Sequence, residues 1–395
     1  MSDEAILVIN TGSSSLKFGL CVESGGAERF LFQGAVQGIG RGEGSQFDIK
    51  DAAGRTLRSE TLAAGDQGDA LNHIARWLSG ASDIAPRAVG HRIVHGGPHL
   101  TEHQPVTATV LETLRRCVHF APLHIPAALH LVDKAARAYP GVPQFACFDT
   151  VFHNSLPEAV SRFALPGQLF DDGIRRYGFH GLSYESIVNQ LGADLPPRAI
   201  IAHLGNGASL CAVRHGRSID TSMGLTPMGM PPMGVRPMST RSGDLDPGVL
   251  LYLLRTGRAH ARSLEKLLNE DSGLKALSGG RQDMRDIQAA AEVGDRRALM
   301  AIQVFCMSVR KLIGAYATQL EGLDMLIFTG GIGEHSASIR RGICQGLGFL
   351  GIRGDDADPG AASDGCASVP IRVVASQEEI QIARHCRAML RAQNP

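Results

Sequence analysis

Three segments of the chain share one layout, in which a short apolar strand runs directly into a loop of glycine and small polar residues. They are AILVINTGSSSLKFGL from Ala5, AIIAHLGNGASLCAV from Ala199 and MLIFTGGIGEHSASI from Met325. Glycine lets backbone amides approach phosphate oxygens, so the repetition predicts a duplicated α/β domain with a nucleotide in its central cleft. The alternative is three unrelated strand-turn signals.

The composition agrees with a globular protein of two domains. Glycine occurs 47 times in 395 residues without a collagen period, and 44% of the residues are hydrophobic. The 39 basic and 39 acidic residues cancel. A neutral chain lacks the positive field that nucleic acids or anionic membranes require, so we expect neither as a partner.

The pattern of short apolar runs and amphipathic helices places a boundary near Asp149. A first α/β unit begins with strands at 5–10, 16–22 and 30–36, continues through a Gly- and Ser-rich stretch at 41–69, and closes with a strand at 143–148. A second unit follows, with strands near 198–203, 208–214, 217–220 and 324–329, and a final helix starting near residue 378.

The eight cysteines are scattered without a CxxC pair, which predicts reduced thiols rather than a disulfide framework. The first residues carry no basic region before their short apolar run, and no continuous run approaches 18 apolar residues. We therefore expect a cytoplasmic protein without a signal peptide or a membrane span.

The first loop joins an amide, three hydroxyls and a lysine. Asn10 can coordinate Mg²⁺, and the serine hydroxyls with Lys17 suit phosphate. The chain has only six lysines against 33 arginines, so lysine is not a general surface residue here and a lysine in this loop is a candidate functional residue. The spacing is not that of a Walker A loop, and a serine-rich hairpin turn with a surface lysine is the alternative.

The second loop spans 203–209, and the third spans 329–335 and leads into a helix at about Ser338. A glycine run before a helix suits a nucleotide packed against backbone. GGxGE is not the dinucleotide fingerprint, and no βαβ unit with an acidic residue follows it, so a Rossmann dehydrogenase is disfavoured.

Histidines recur every four residues at 91, 95, 99 and 103, the spacing of a metal-binding helix. Gly96, Gly97 and Pro98 interrupt that helix, which argues against a metal. Arg92, at the end of the strand in the same segment, suits either an anion clamp or an ordinary surface arginine.

Three further polar residues lie at strand ends or between glycines. Asp149 ends a strand, His180 stands in Tyr177–Gly181 between two glycines, and Arg241 precedes a helix that begins with Asp246 and Pro247. For Asp149 and His180, a helix-capping aspartate and a packed histidine are the alternatives.

Taken together, these segments resemble the acetate kinase family, within the acetokinase branch of the sugar kinase, Hsp70 and actin superfamily. The resemblance runs nearly from end to end, in the order NTGSSSLKF, GHRIVHGG, FDTVFH, RRYGFHGLSY, AHLGNGAS, TRSGDLDP, DMRDI, TGGIGEHS and EEIQIARH. It implies an ATP:carboxylate phosphotransferase that reversibly converts ATP and acetate into ADP and acetyl phosphate. It also implies Mg²⁺, with Mn²⁺ as a substitute, a homodimer, and a part in acetyl-CoA biosynthesis.

The implied fold is α/β, with two duplicated actin-like ATPase domains of the ribonuclease H-like βββαβαβα type and the active site in the interdomain cleft. We expect the N-terminal acetokinase domain to span 1–149, with the C-terminal helix of about 378–395 packing back on it. The nucleotide-binding domain would then span 150–377.

The resemblance also implies a role for individual residues. Asp149 would be the catalytic acid of the family, His180 its stabiliser of the transition state, and Arg241 the arginine on the phosphoryl group in flight. Arg92 would bind the acceptor carboxylate, in an acetate pocket lined by Val94, Leu123 and Phe179. The implied Mg²⁺ ligands are Asn10 and Glu378. The implied ATP-binding residues are Lys17, His203, Leu204, Gly205, Asn206, Gly207, Asp283, Met284, Arg285, Gly331, Ile332, Gly333, Glu334 and His335.

The sequence departs from the family pattern in one loop. Thr226 and Pro227 are followed by Arg241 fifteen residues after Thr226, where the family has about ten. Arg236 stands at the family spacing, but Arg241 has the matching TRSGDLDP context, so we assign the catalytic role to Arg241 and keep Arg236 as the alternative. The same insertion leaves open whether Pro231 or Pro232 lines the acyl pocket.

Two other functions share parts of this pattern. A propionate or butyrate kinase would use the same chemistry with a wider pocket. An ATP-operated binding module of the Hsp70 or actin kind would need the phosphate loops but not Arg92, His180 and Arg241.

Overall fold

A computed structural model gives the fold and describes residues 4–12, 15–40, 44–81, 84–227, 238–353 and 368–393. The chain divides into two compact units. The first comprises Met1–Val151, Gly181–Ser186 and Gln377–Pro395, and the second comprises Phe152–His180 and Ile187–Ser376. Residues 181–186 thus lie in the first unit, although the sequence-based division assigns them to the second.

The first unit contains a mixed sheet with the strand order β5-β4-β3-β2-β1-β6-β8-β7. Strand β1 is antiparallel to β2 and parallel to β6, which is parallel to β8. The strands are β1 (Ala5–Thr11), β2 (Ser15–Ser24), β3 (Ala27–Gln37), β4 (Ser45–Asp51), β5 (Thr56–Leu62), β6 (Pro86–Ile93), β7 (Gln104–Pro105) and β8 (Gln144–Phe148).

Helices cover both faces of this sheet, which explains why β1 is apolar almost throughout. On one face, Leu7 and Phe18 pack with α1 (Gln67–Ala81) and α3 (Ile125–Ala138). On the other, Ile6 and Val8 pack with the last helix of the chain. The short helix α2 (Ala108–Arg116) begins at the Thr107 cap, whose side chain accepts from the Val110 amide.

The last helix, α14 (Glu378–Gln393), is held against the sheet by close packing and by a buried ion pair. A Cβ atom at Gly90 of β6 would lie 2.5 Å from Cys386 Sγ and 2.7 Å from Ile382 Cγ2, so glycine permits the close approach. Arg387 of α14 donates to Glu28 of β3 from Nε at 2.5 Å and from Nη2 at 3.1 Å.

The second unit contains a sheet with the order β11-β10-β9-β12-β13. Its first three strands are antiparallel neighbours, and β12 lies parallel to both β9 and β13. Within the first sheet, β3-β2-β1-β6-β8 repeats this order and these directions, which confirms the predicted duplication. The strands are β9 (Arg198–Leu204), β10 (Ala208–Arg214), β11 (Arg217–Thr221), β12 (Met325–Thr329) and β13 (Ile371–Val373).

The remaining helices surround this second sheet or link the units, and α6 has residues in both. They are α4 (Glu158–Ser161), α5 (Gly167–Asp171), α6 (Gly181–Leu191), α7 (Pro247–Arg255), α8 (Ala261–Glu270), α9 (Gly273–Leu277), α10 (Met284–Glu292), α11 (Arg296–Gln319), α12 (Gly330–His335) and α13 (Ala337–Cys344). Short 3₁₀ helices span Val118–Phe120, Val151–Ser155, Gly192–Asp194 and Gly348–Leu350.

Helix α11 is the core helix of the second unit. It is long and apolar enough to cross a membrane by length and composition alone. It packs instead against α10, α13 and β10, and buries Phe305, Val309 and Ile313. The apolar face of α11 therefore packs in the interior of the second unit.

Candidate functional site

In the first unit, three predicted site residues lie at the carboxyl ends of neighbouring parallel strands. Asn10 is near the end of β1, Arg92 near the end of β6, and Asp149 directly after β8. Because parallel strands end at the same sheet edge, their side chains meet there. The amide of Asp149 donates to the carbonyl of Ile93 at 3.1 Å, which continues the pairing of β6 and β8 up to the site.

Arg92 connects the three residues. Its Nε donates to both carboxylate oxygens of Asp149, at 2.9 and 3.1 Å, and its Nη2 donates to Oδ2 at 2.5 Å. Its Nη1 donates to Oδ1 of Asn10 at 3.0 Å. Since a guanidinium carries five N–H groups, these contacts leave one N–H on each terminal nitrogen.

The charge of Arg92 is fixed by its neighbours. Burial opposes the charged form, but the carboxylates of Asp149 and Glu378 raise the pKa of Arg92 above its ordinary value. The Asp149 side chain is 1% exposed, so the pair is well screened from water. Arg92 is therefore a fixed, oriented cation.

Asn10 also gathers two carboxylates from the start of α14. Its Nδ2 donates to Glu378 Oε2 at 3.0 Å and to Glu379 Oε1 at 2.8 Å. Acidic side chains are favoured in the first turn of a helix, where they compensate the macrodipole. Glu378 and Glu379 supply carboxylate oxygens of the kind that Mg²⁺ takes, and a cation would relieve the repulsion between them. Asn10 Oδ1 accepts from Arg92, so the amide must turn over before its oxygen can join the two carboxylates. The two glutamates therefore fit a magnesium ion.

Lys17 lies directly opposite Asn10 in the antiparallel pairing of β1 and β2, so both side chains project from the same face of the sheet. Lys17 lines a cavity of about 550 Å³ together with Lys50, Gln33 and Glu379. Asp48 also lines this cavity, so its two lysines and two carboxylates cancel in formal charge, and Lys17 is the cation that lies beside Asn10.

The three residues predicted to line the acyl pocket differ in their burial. Val94 is half-buried, and Leu123 is 49% exposed. Phe179 is buried in the second unit.

In the second unit, His180 holds a backbone conformation that residues other than glycine rarely adopt. Its φ is 60° and it immediately precedes α6. A left-handed non-glycine residue costs free energy and is common at functional sites. Gly178, with φ of 77°, could not carry a side chain, because a Cβ would lie 2.5 Å from His153 Cδ2.

The imidazole of His180 is oriented by its neighbours. Nδ1 lies 2.7 Å from Ser209 Oγ, and the ring stacks on His203 with centroids 4.2 Å apart and planes 13° apart. Ser209 and His203 are directly paired on β10 and β9. Ser209 and His203 therefore hold the His180 ring from its edge and from its face.

The glycine loop after β9 closes onto the same ring. The amide of Gly205 donates to the carbonyl of Gly207 at 2.9 Å, which makes a tight turn around Asn206. A Cβ at Gly207 would lie 3.0 Å from His180 Nε2. The structure thus brings together His180, His203 and Gly207, while Leu204 is buried in β9.

The third glycine loop forms helix α12, although the sequence predicts a loop there; the helix predicted from about Ser338 is α13. Gly330 begins it with φ of 75°, and a Cβ there would lie 2.8 Å from the Leu204 carbonyl oxygen. Glu334 Oε1 accepts from the Gly330 amide at 2.9 Å and from the Ser376 amide at 3.0 Å. Glu334 thus stabilises the loop, and Gly331 and His335 are exposed while Gly333 is buried and Ile332 half-buried.

Asp283 caps α10. Its Oδ1 accepts from the Arg285 amide at 2.9 Å, and its carboxylate pairs with the exposed Arg285 guanidinium at 2.6 Å. Met284 is buried behind them. Asp283 and Arg285 therefore form a local ion pair at the surface of the second unit.

Arg241 is anchored by its main chain. The Met238 amide donates to the Arg241 carbonyl at 3.2 Å, the Ser242 amide to Leu268 at 2.9 Å, and Arg241 Nη1 to the Pro227 carbonyl at 2.9 Å. A Cβ at Gly273 would collide with the Arg241 carbonyl at 2.6 Å. Arg236, Pro231 and Pro232 lie outside the described residues.

Several residues of the site escaped the sequence reasoning. Glu379 binds Asn10, and its signal is the adjacent pair of glutamates in EEIQIARH. Ser209, in AHLGNGAS, orients His180. His153, in FDTVFH, is buried, accepts from or donates to Ser218 Oγ at 2.8 Å, and binds the Phe179 carbonyl at 3.1 Å. Burial lowers the pKa of His153 to about 4, so a neutral ring holds the residue before His180.

Comparison with known proteins identifies the family of the chain. The family model described as "Acetokinase family" matches residues 5–384. The chain is 40% identical over 402 residues to a protein named acetate kinase from Methylocella silvestris, covering 98% of each. It resembles the crystal structure of Porphyromonas gingivalis acetate kinase with a TM-score of 0.81 and 34% identity, covering 98% of this chain and 100% of that one.

A propionate kinase is similar to the same degree. The crystal structure of a propionate kinase from Francisella tularensis gives a TM-score of 0.85 and 34% identity, covering 96% of this chain and 98% of that one. The family match extends over both compact units and every motif on which the resemblance rests, except the last residue of EEIQIARH. The chain is therefore a kinase that belongs to the acetokinase family.

Proposed function

We propose that the chain is an acetate kinase, which reversibly transfers the γ-phosphoryl group of ATP to acetate. The observation that carries the proposal is the Arg92 cluster, in which Asp149 and Asn10 hold a partly buried cation with one N–H on each terminal nitrogen still to donate. A guanidinium held in this way suits the carboxylate and phosphoryl oxyanions of this reaction.

The reaction itself needs no general base. Acetate has a solution pKa close to that of a glutamate side chain, about 4.3, so it is already ionised at neutral pH. One acetate oxygen bonds to the γ-phosphorus as the bond from that phosphorus to the β,γ-bridging oxygen breaks, and ADP leaves with the electron pair. No proton moves, so the enzyme's task is to bring two anions together.

Asp149 fits an orienting role in this scheme. It accepts from Nε and Nη2 of Arg92, which holds the guanidinium plane in one position. We propose that Arg92 binds the acceptor carboxylate and that Asp149 fixes Arg92 rather than removing a proton.

The charge on the phosphates is distributed over several groups. Asn10, Glu378 and Glu379 would hold Mg²⁺, which when bound supplies positive charge to the phosphate oxygens of ATP. Lys17 would contribute a further positive charge from the same face as Asn10. The glycine loops at 203–207 and 330–335, with Asp283–Arg285, would contact the nucleotide through backbone amides.

His180 and Arg241 would stabilise the transferring phosphoryl group. Ser209 orients His180 through Nδ1, and the Pro227 carbonyl accepts from Nη1 of Arg241. A preorganised donor of this kind contributes about 3 to 4 kcal/mol in other enzymes. We further propose a cytoplasmic homodimer without nucleic acid or membrane partners.

A second possible function differs from the first in the length of the acyl chain that the enzyme accepts. The propionate kinase from Francisella tularensis is as similar to this chain as the acetate kinase from Porphyromonas gingivalis, at 34% identity. One methylene in an apolar pocket changes discrimination by about 10- to 200-fold. A propionate kinase with a wider pocket is therefore the alternative.

A hydroxamate assay with acetate, propionate and butyrate tests the proposal. We expect acyl phosphate from acetate with the highest kcat/KM, and dependence on Mg²⁺ that Mn²⁺ partly satisfies. A higher kcat/KM for propionate would assign the alternative. ATP binding without acyl phosphate from any of the three acids would instead indicate a binding module.

A further inference from the structure

A cluster of two imidazoles and a carboxylate lies in the first unit, apart from the Arg92 contacts. His103 precedes β7, Glu185 lies on α6 and His385 on α14. His385 Nε2 is 2.8 Å from Glu185 Oε2, His103 Nε2 is 3.8 Å from the same oxygen, and the rings are 4.1 Å apart. The three ligand atoms lie close enough together to hold a metal ion.

The hydrogen bond on the other side of His103 argues against a metal. The amide of Phe148 donates to His103 Nδ1 at 3.1 Å, so Nδ1 must keep its lone pair. A neutral imidazole then carries its proton on Nε2, the atom that faces Glu185. An Nε2 that bears a proton cannot ligate a metal, and a metal on Nε2 would require a proton on Nδ1 directed at the Phe148 N–H.

The bond to Phe148 completes a strand edge that the backbone leaves unfinished. Strand β7 has two residues, and it pairs with β8 at Ala146 and Phe145 only. The next amide on that side belongs to Phe148, beyond the end of the pairing. A buried amide without an acceptor is costly, and the His103 ring supplies the acceptor.

We propose that His103 is a positioning residue, whose Nδ1 holds the main chain of Phe148 and so fixes the adjacent Asp149 against Arg92. Glu185 Oε2, held by His385, lies 3.8 Å from His103 Nε2, beyond hydrogen-bond distance, and Nε2 is buried without a hydrogen-bond partner among the described residues. The negative charge of Glu185 nevertheless favours a proton on Nε2, which leaves Nδ1 free to accept from Phe148. The proposal rests on the proposed function in that it assigns Asp149 to the acetate kinase reaction.

Protonation of His103 would cancel the contact. A proton on Nδ1 removes the acceptor from Phe148. Burial lowers the pKa of His103 below its ordinary value, while Glu185 opposes this shift and the neighbouring His385 adds to it. Glu185 of α6 and His385 of α14 are the charged or titratable groups that act on this ring. The lowered pKa favours the neutral ring, and with it the acceptor at Nδ1.

A matched pair of variants separates the hydrogen bond from packing. In His103→Asn, the amide oxygen takes the place of Nδ1 and can accept from Phe148. His103→Leu has a side chain of similar shape without an acceptor. If a lost anchor lets Asp149 shift by a fraction of an ångström, we expect kcat of His103→Leu to fall by about 10-fold or more, with both KM values within about twofold. His103→Asn should stay within about threefold of the wild-type kcat.

Hydrogen exchange gives a readout that does not depend on the reaction. In the peptide that contains Phe148 and Asp149, deuterium uptake should be faster in His103→Leu than in the wild type, and His103→Asn should restore the slow exchange. The same variants are assayed with acetate, after thermal unfolding has shown both to be folded. If the wild type made no acyl phosphate, the exchange comparison would still test the anchor, so the two proposals fail separately.

Three results would overturn the proposal. Equal exchange at Phe148 in all three proteins would show that the bond does not form. Equal loss of kcat in both variants would assign His103 to packing alone. A rise in unfolding temperature with added Zn²⁺ that is seen in the wild type and absent in His103→Asn would assign the cluster to a metal.

Discussion

The guanidinium of Arg92 binds both carboxylate oxygens of Asp149, at 2.9 and 3.1 Å from Nε and at 2.5 Å from Nη2. A carboxylate that accepts several hydrogen bonds from a fixed cation is stabilised as the anion. It is therefore a poor proton acceptor at neutral pH, and its contribution is the orientation of Arg92.

This relationship predicts the behaviour of Asp149→Asn. The variant keeps the size of the side chain but places an amide N–H₂ or a neutral oxygen against the guanidinium, so Arg92 loses its fixed plane. We expect kcat to fall by about 100-fold or more at all pH values between 6 and 9. Activity that returned as pH rose, as for a missing base, would contradict the orienting role.

The catalytic arginine is tested by comparing Arg241→Ala with Arg236→Ala. We expect Arg241→Ala to lower kcat by about 100- to 1,000-fold with little change in the KM for ATP, since an electrostatic donor in a transition state contributes about 3 to 4 kcal/mol. Arg236→Ala serves as the comparison in steady-state assays. A collapse of kcat in Arg236→Ala with near wild-type Arg241→Ala would move the assignment to Arg236.

Gly207→Ala should disturb His180 without unfolding the protein. The new methyl group would lie 3.0 Å from His180 Nε2 and 3.2 Å from Cε1, so the ring must move away from its contacts with Ser209 and His203. We expect kcat to fall by about 10-fold or more.

Gly314→Ala in α11 is the matched control for that variant. A Cβ at Gly314 meets no atom within 4 Å. Glycine in a helix interior costs about 0.5 to 1 kcal/mol relative to alanine, so this variant should be slightly more stable and equally active. An unchanged kcat in Gly207→Ala would show that the His180 ring position does not matter.

Glu185 makes stability depend on pH. Burial opposes its charge, but the imidazoles of His103 and His385 lower the pKa of Glu185 from 4.5 to about 2. A carboxyl with a depressed pKa stabilises the fold above its unfolded value, and this contribution is lost as pH falls through the folded value. At about 1.4 kcal/mol per pKa unit, the contribution near neutral pH is of the order of 3 to 4 kcal/mol.

Glu185→Gln should therefore be less stable than the wild type above about pH 5, by an amount that shrinks between 4.5 and about 2. Urea unfolding of both proteins across this range measures the difference. A gap that stayed constant with pH would mean that the charge of Glu185 contributes nothing.

The ion pair of Arg387 and Glu28 should be strongly context-dependent. Both side chains are 4% exposed, so Arg387→Met leaves a buried carboxylate without its cation. We expect a loss of about 3 to 5 kcal/mol in urea unfolding, much of which Arg387→Met with Glu28→Leu should recover. A double variant as unstable as the single one would show that the pair itself, rather than its desolvated partner, supplies the stability.

Much of the fold could be predicted because local patterns agreed with the tertiary structure. The strand predicted at 5–10 is β1 (Ala5–Thr11) and the strand predicted near 324–329 is β12 (Met325–Thr329), so both agree within a residue at each end. The order β3-β2-β1-β6-β8 in the first sheet matches β11-β10-β9-β12-β13 in the second, which confirms the duplication inferred from three strand-loop segments. Each of these segments combines an apolar run and a glycine loop within ten to fifteen residues, so it can be recognised locally.

The short elements were missed for physical reasons. Helix α12 consists largely of glycines, which are poor helix formers, and it depends on Glu334 accepting from the Gly330 amide. Strand β7 has two residues, one of them a proline, and only pairing with β8 defines it.

The sequence indicates candidate residues for the site but not their contacts. A sequence can show that Asn10, Arg92 and Asp149 follow strands, but not that Asn10 binds Glu378, because 368 residues separate them. The residue types of Glu379, His153 and Ser209 do not by themselves indicate a role in the site. Their roles follow from distances to Asn10, Phe179 and His180, which only the folded chain supplies.

The packing of α14 on β1 and β6 has a consequence for synthesis. The face formed by Ile6, Val8 and Ala88 is covered by Ile380, Ile382 and Cys386, which are synthesised long after the strands they cover. This face of the first sheet therefore stays exposed on the nascent chain until α14 has been made. Exposed apolar surface of this kind favours aggregation, so chaperones would bind the nascent protein at this face.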